Sequence, residues 1–364
     1  MSFQDVLNQP VAVKLMQQAI RRNRVPNGML LWGPAGVGKY TAAMEMAKAL
    51  NCESGEDSAC NACLSCRKIA HGNHPDVTTI LPAGKQRLIK VVVIESLIEN
   101  TAYRPFEGRY RVFIMDEADR MNPPAQSHFL KTLEEPISNT IFLLISASPN
   151  MLFPPIRSRC QKLRFGSLPT DTIATLLMKH RHIDADKARQ LAAVSQGQMS
   201  RALNFLDTNK YEIVLDIMKK LRNGVDPMLV SDEFKSLLAE KQKQLLEEAK
   251  DHSRASGGAD PDDNSQQNKE AQEKAFDAYV KMIIRQDLME YLYLFNTLCR
   301  DEMVYAVTGD IHHVFNREMV GHRAAANMDS HVKKLKAIEE SWLYIERNLN
   351  KDRVFRDLFF ILAA

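Results

Sequence analysis

The sequence predicts a doubly wound α/β domain with a parallel sheet, followed by an all-helical half. Three observations predict it. Short continuous apolar runs occur at Met29–Trp32, Arg111–Met115 and Thr140–Ser146, and runs of that length, ended by turn or charged residues, are buried parallel strands rather than helices. Segments with helical period separate them. From Thr170 onward helical period continues and strand signals stop.

In chain order, Val11, Leu15, Met16 and Ile20 recur close to a helical period and predict a helix over 10–22. The strand 29–32 breaks at Gly33 and Pro34, and a helix opens at Lys39 and runs to Leu50. A helical pattern around 124–133 lies between the strands at 111–115 and 140–146. Within the helical half, residues 251–268 (DHSRASGGADPDDNSQQN) carry Gly-Gly and Pro and almost nothing apolar to offset ordering entropy, so this stretch is expected to be a disordered, solvated insertion. There is no internal repeat.

Composition excludes several classes. With 364 residues, 45 % hydrophobic and 26 % charged, the chain is neither disordered throughout nor fibrous and has room for two or three cores. The formal net charge of +3 gives no support to wholesale coating of polyanions. No stretch approaches the roughly 18 to 20 apolar residues of a membrane span and no basic-then-apolar leader opens the chain, so a cytoplasmic location is expected. In a reducing compartment, crowded cysteines point to metal rather than to disulfides.

Gly33-Pro-Ala-Gly36-Val-Gly38-Lys39 fits the GxxxxGK phosphate loop, between a strand and a helix as that motif requires. Its glycines allow close backbone approach, the amides and helix N-terminus cradle phosphates, and Lys39 reaches the β- and γ-phosphates. The next residue is Tyr40, where a Ser or Thr hydroxyl would hold Mg²⁺. Thr41 lies one residue further, rotated by about 100°, and offers only its amide to a phosphate. About eighty residues downstream, the strand 111–115 delivers Asp116 and Glu117 at its C-terminal end, a Walker B arrangement: Asp116 for the Mg²⁺ shell, Glu117 for the attacking water, with Asp119 a capping or surface residue.

Cys52, Cys60, Cys63 and Cys66 give the spacing Cx7CxxCxxC, which suits a closed, structural Zn²⁺ site with no open position. Cys299, in an apolar helical pattern, is expected in the core. The basic cluster Arg21-Arg-Asn-Arg24 reads as a solvated helix end, since no stacking platform accompanies it.

These motifs, together with Phe106-Glu-Gly-Arg-Tyr-Arg-Val-Phe-Ile-Met-Asp-Glu-Ala-Asp-Arg-Met121, Leu130-Lys-Thr-Leu-Glu-Glu-Pro136 and Ile156-Arg-Ser-Arg-Cys160, occur in one order. The chain resembles the clamp-loader AAA+ ATPases of bacterial DNA polymerase III, most closely their delta-prime members. The resemblance implies an AAA+ domain over 1–166 with a zinc module at 52–66, a helical lid over 167–208 and a helical collar over 209–364. The stretch Ile338–Asn350 resembles the last collar helices. In the Ser158-Arg159-Cys160 motif, the resemblance makes Arg159 an arginine finger reaching the neighbouring subunit's nucleotide; from physics alone it would be an ordinary surface Arg. Ser146 is either the family's polar sensor near the γ-phosphate or a buried Ser bonded to backbone. At the motors' sensor arginine stands Ser200, with Arg201 one position later, about 100° round a helix.

The resemblance implies gamma/tau and delta subunits as partners in a hetero-oligomeric ring, with the sliding clamp and primed-template DNA met through the assembled loader and no membrane contact. Tyr40 and Ser200 together imply a stator that binds ATP/Mg²⁺ weakly or without hydrolysis. The alternatives are a gamma/tau-type motor and, from another class, a zinc-stabilised DNA-binding module.

Overall fold

The computed structural model describes residues 3–55, 57–83, 87–101, 104–134, 139–255, 266–317 and 328–364. Helix α1 (Pro10–Arg21) leads to β1 (Gly28–Trp32), α2 (Lys39–Leu50), the short α3 (Leu64–Ala70) and β2 (Val77–Ile80). Then come α4 (Val91–Thr101), β3 (Arg111–Met115), α5 (Pro123–Glu134), β4 (Thr140–Ser146), α6 (Pro154–Arg159) and β5 (Gln161–Arg164). The remainder is helical: α7 (Thr170–Arg181), α8 (Ala185–Val194), α9 (Met199–Thr208), α10 (Lys210–Arg222), α11 (Pro227–Ala255), α12 (Gln266–Thr308), α13 (Met328–Glu346) and α14 (Lys351–Ala363).

The strands form one parallel sheet in the order β2-β3-β4-β1-β5. Because side chains alternate across a strand, the three apolar runs feed two cores at once. Met29, Leu31, Val112, Ile114, Leu143 and Ile145 pack with α1 and α2, while Leu30, Phe113, Phe142 and Leu144 pack with α4, α5 and α6. On the second face Phe142 stacks on Phe113 at 5.6 Å between centroids and meets Phe129 edge-on at 5.2 Å. This burial on both faces explains why the central strands read as unbroken apolar runs. Strands β2 and β5 went unpredicted because they are short edge strands with exposed polar positions and no such run.

Two compact units divide the chain: Met1–Arg181 with Gln196–Arg201, and His182–Ser195 with Ala202–Ala364. The segment 167–208 is thus shared: α7 belongs to the first unit, α8 to the second, and α9 begins in the first and continues in the second. In the second unit an aromatic cluster centres on Phe234, whose ring lies 5.1 Å from Tyr291 and 4.9 Å from Phe355. Cys299 is fully buried, as expected. Lys210 is buried beside Asp287 at 2.5 Å and also pairs with Glu290, so its charge is compensated.

The expected insertion 251–268 needs correction at both ends. Helix α11 runs through Ala255 and α12 starts at Gln266, so 251–255 and 266–268 are helical; residues 256–265 lie outside the described residues, as do Glu135 and Pro136 of the segment Leu130–Pro136. Helix α13 ends at Glu346, and Asn350 caps α14 through bonds from the Asp352 and Arg353 amides, so the stretch 338–350 is a helix end and a turn. No described helix is long and apolar enough to cross a membrane.

Candidate nucleotide-type site and cysteine cluster

The parallel register brings three loop ends to one edge of the sheet. Trp32 lies beside Ser146, and Met115 beside Leu144, so Gly33, Asp116 and Ser146 follow or end adjacent strands β1, β3 and β4 at their C-terminal edge. That is where open α/β sheets bind ligands. The Gly33 N–H donates to Ser146 O at 3.2 Å.

The three loop glycines are required for different reasons. Gly33 has φ +146°, and a Cβ there would lie 2.1 Å from the Phe165 carbonyl oxygen. Gly38 is the N-cap of α2 with φ +93°. Gly36, at φ +69°, is covered by the start of α9: Met199 N–H donates to Gly36 O at 3.2 Å, and a Cβ at Gly36 would meet Ser200 Oγ at 2.1 Å. Only glycine allows this approach.

Lys39 is buried, and its ammonium donates to Gly33 O at 2.7 Å and to Pro34 O. Burial lowers its pKa, opposed by the charges of Asp116 and Asp119. Burial raises the Asp116 carboxyl, with the Glu117 N–H, donated to Asp116 Oδ1 at 3.0 Å, pulling the other way. Lys39 and Asp116 therefore face one another electrostatically across a water-poor edge. Glu117 sits in the left-handed region at φ +49°, and its carboxylate is engaged by Arg87 and Arg120 of its own chain. Asp119 is no cap: its Oδ1 accepts the Ala147 N–H at 3.3 Å and ties the end of β3 to the end of β4.

Ser146 Oγ is buried without a hydrogen-bond partner among the described residues, so the reading of a Ser satisfied by backbone is corrected. A buried orphan hydroxyl between a phosphate loop and an aspartate fits a phosphate oxygen. Tyr40 is 42 % exposed, and Thr41 lies in the first turn of α2.

Arg159 ends α6, at the other end of the sheet from this edge. The Arg159 carbonyl lies 3.7 Å from where a Cβ on Gly28, the first residue of β1, would sit, whereas the phosphate loop follows the last. Five strand residues separate the two, about 16 Å, which exceeds the reach of one side chain. The Arg159 guanidinium pairs with Glu134 at 2.6 Å and donates to Pro155 O at 3.3 Å. The neighbouring Cys160 is buried, which pushes its thiol up to about 12.

The sulfurs of Cys52, Cys60, Cys63 and Cys66 all lie within 4.8 Å of one another. A tetrahedral ion with bonds near 2.3 Å would need about 3.8 Å between sulfurs, so small shifts complete the shell. Backbone amides already point at the sulfurs: Cys60 N–H to Cys52 at 3.4 Å, Cys63 N–H to Cys60 at 3.3 Å and Cys66 N–H to Cys63 at 3.4 Å. The Ser54 side chain and the Ala62 and Cys63 amides bring the Cys60 thiol down to about 5, while burial raises Cys66. The donor set fits one thiolate-bound metal.

Residues without motif signals join this cluster to the sheet. Lys48 of α2 donates to Asn61 Oδ1 at 2.8 Å and pairs with Glu45, both side chains being nearly inaccessible. The Asp76 carboxylate accepts the Phe106, Glu107 and Gly108 amides at 2.6, 2.8 and 2.8 Å. His74 accepts the Asp76 amide at 3.1 Å and meets Ser65 of α3 at 3.2 Å.

Comparison with known proteins places this arrangement. The family model described as "DNA polymerase III, delta subunit" matches residues 8–169. The delta' subunit of Bacillus subtilis (strain 168) is 31 % identical over 243 residues, 65 % of this chain and 73 % of that protein. The chain belongs to the bacterial DNA polymerase III clamp-loader family. Another relative is the tau subunit of the same organism, 32 % identical over 56 % of this clamp-loader chain and 37 % of tau. A gamma subunit-related protein of Thermotoga maritima superposes with a TM-score of 0.46 at 14 % identity, over 97 % and 98 % of the two chains. The tau relative is thus matched over little more than a third of its length, and the delta' relative over most of it.

Proposed function

We propose that this chain is a delta-prime-like subunit of the clamp loader, a stator in a hetero-oligomeric ring with gamma/tau and delta subunits. Through that ring it serves the loading of the sliding clamp on primed DNA in the cytoplasm, and its first unit is an AAA+ domain. The observation that carries this reading is the covered phosphate loop. Ser200, standing where the motors carry an arginine, is packed on Gly36, Tyr40 offers no aliphatic hydroxyl to Mg²⁺, and Lys39 is bonded back to its own loop.

Bound ATP/Mg²⁺ would be held by the amides from Gly33 to Thr41, by Lys39 and by Asp116, with Ser146 as the polar group at the γ-phosphate end. Mg²⁺ would supply charge neutralisation at the phosphates. In this chain those groups bind phosphate weakly and do not turn it over, because Glu117 is committed to Arg87 and Arg120. The four cysteines hold a structural Zn²⁺, which fixes the loop between α2 and α3.

Arg159 is this subunit's contribution to catalysis, as an arginine finger given in trans. Its place across the sheet from its own phosphate loop and its exposed end of α6 support that role. A guanidinium so supplied stabilises charge on the transferring phosphoryl group, with rate effects of about 10³ to 10⁵. Arg159→Ala is expected to cut the ATPase of the assembled loader severalfold or more while assembly stays intact. An unchanged rate would remove the role. The gamma/tau-type motor keeps hydrolysis at Lys39, Asp116 and Glu117 and predicts instead that Glu117→Gln abolishes a measurable share of that ATPase.

A further inference from the structure

Opposite the phosphate loop, the fold assembles a cationic face that the sequence scatters. Tyr110 Oη donates to Asn23 Oδ1 at 3.1 Å, which ties the turn before β3 to the end of α1. Asn23, Arg109, Tyr110 and Asn139 line one cavity of about 240 Å³ there. Arg109 lines it, Arg22 and Arg24 flank Asn23 in the chain, and Arg104 lies two residues before Phe106 on the approach to β3; all four are exposed. Among the described residues of these loops, Asp57 pairs with Arg21, Glu107 with Lys68 at 2.7 Å and the buried Asp76 with Arg111, while Glu53 accepts the Ser65 N–H at 3.4 Å.

On the same turn, Phe106 is 83 % exposed, the most exposed large apolar side chain among the described residues. Its turn is held rigidly. The buried Asp76 carboxylate takes three successive amides from Phe106 to Gly108, and Asn51 accepts the Tyr110 N–H at 2.9 Å and donates to Tyr110 O at 3.0 Å. A ring presented on a fixed loop binds without paying for ordering.

We propose that this face binds single-stranded nucleic acid, with Phe106 stacking on a base and Arg22, Arg24, Arg104 and Arg109 meeting phosphates. The chemistry favours that ligand over an acidic peptide. All four cations are arginines, whose planar forks match phosphate, and a lone exposed aromatic beside them is a stacking platform indifferent to base identity. The surface is separate from the nucleotide-type edge and does not depend on whether this chain hydrolyses ATP.

The test is fluorescence anisotropy of a labelled oligothymidylate of about 20 nucleotides, long enough for one site, with the full chain at several salt concentrations. Four phosphate contacts predict that log K falls against log salt with a slope of about −3. Arg104→Gln and Arg109→Gln should each flatten the slope by about 0.7. Phe106→Ala should weaken binding about 5- to 150-fold with the slope unchanged, and Phe106→Trp should restore it; an unaltered thermal melt shows that the variants fold. No binding at low salt would overturn the proposal. So would affinity indifferent to Phe106, a duplex of equal length bound as tightly by the Phe106→Ala chain, or displacement by polyglutamate at equal charge, which would make the face a peptide site.

Discussion

Asp76 has a fully buried carboxylate that accepts three backbone amides and pairs with Arg111 at 3.4 Å. Burial alone would raise its pKa, but those amides and the guanidinium outweigh it and hold the carboxyl below the usual range. A carboxyl depressed in the folded state contributes stability that is complete above its unfolded pKa, about 4, and is lost as the pH falls through the folded value. Asp76→Asn should therefore cost about 2 to 4 kcal/mol at neutral pH, and the deficit against the parent chain should shrink on acidification below about pH 4. Denaturant titrations of both chains at the two pH values measure it; a deficit that does not change with pH would contradict the charge-based account. Nothing in the sequence singled out Asp76, because its partners lie some thirty residues away and an isolated Asp before a strand carries no periodic signal. Lys39, Asp116 and the cysteines were legible for the opposite reason: each belongs to a local motif whose spacing states its chemistry.

At the scale of elements, α2 links the phosphate loop to the cysteine cluster. Its N-terminus is the phosphate loop's cap, and near its C-terminus the buried Glu45 and Lys48 reach the cysteine loop through Asn61. Lys48→Ala leaves Glu45 buried and uncompensated and should destabilise the chain by about 3 to 5 kcal/mol, whereas replacing both by apolar residues of similar size should recover most of it. Equal losses in the single and double variants by thermal melts would remove the pairing argument. Metal analysis should find one zinc per chain, and chelation should lower the melting temperature and expose the four thiols to a titrating reagent. Thiols that react fully without chelation would argue against a bound ion. The central strands and the helices beside them were readable because burial on both faces writes apolar runs. The edge strands β2 and β5 were not, since half-exposed four-residue strands look like loops.

At the scale of the whole molecule, the sequence anticipated a sheet-bearing part followed by helices, and the units observed follow that order except within 182–201. That exception reflects chain path: the turn at Gln196–Met199 returns to the sheet unit and leaves again through α9, a crossing that no local pattern announces. Helices α13 and α14 leave Leu343, Tyr344, Phe360 and Ile361 exposed, an apolar surface that the proposed collar would offer to other subunits. On the proposed reading this chain contributes Arg159 to a neighbour while its own covered loop does not run a magnesium-dependent ATPase. The measurement that tests it most directly is equilibrium binding of a fluorescent ATP analogue to the purified full chain, with and without Mg²⁺. Weak binding indifferent to Mg²⁺ is the predicted result, and tight binding strengthened by Mg²⁺ would contradict it and return the chain to the motors of its family.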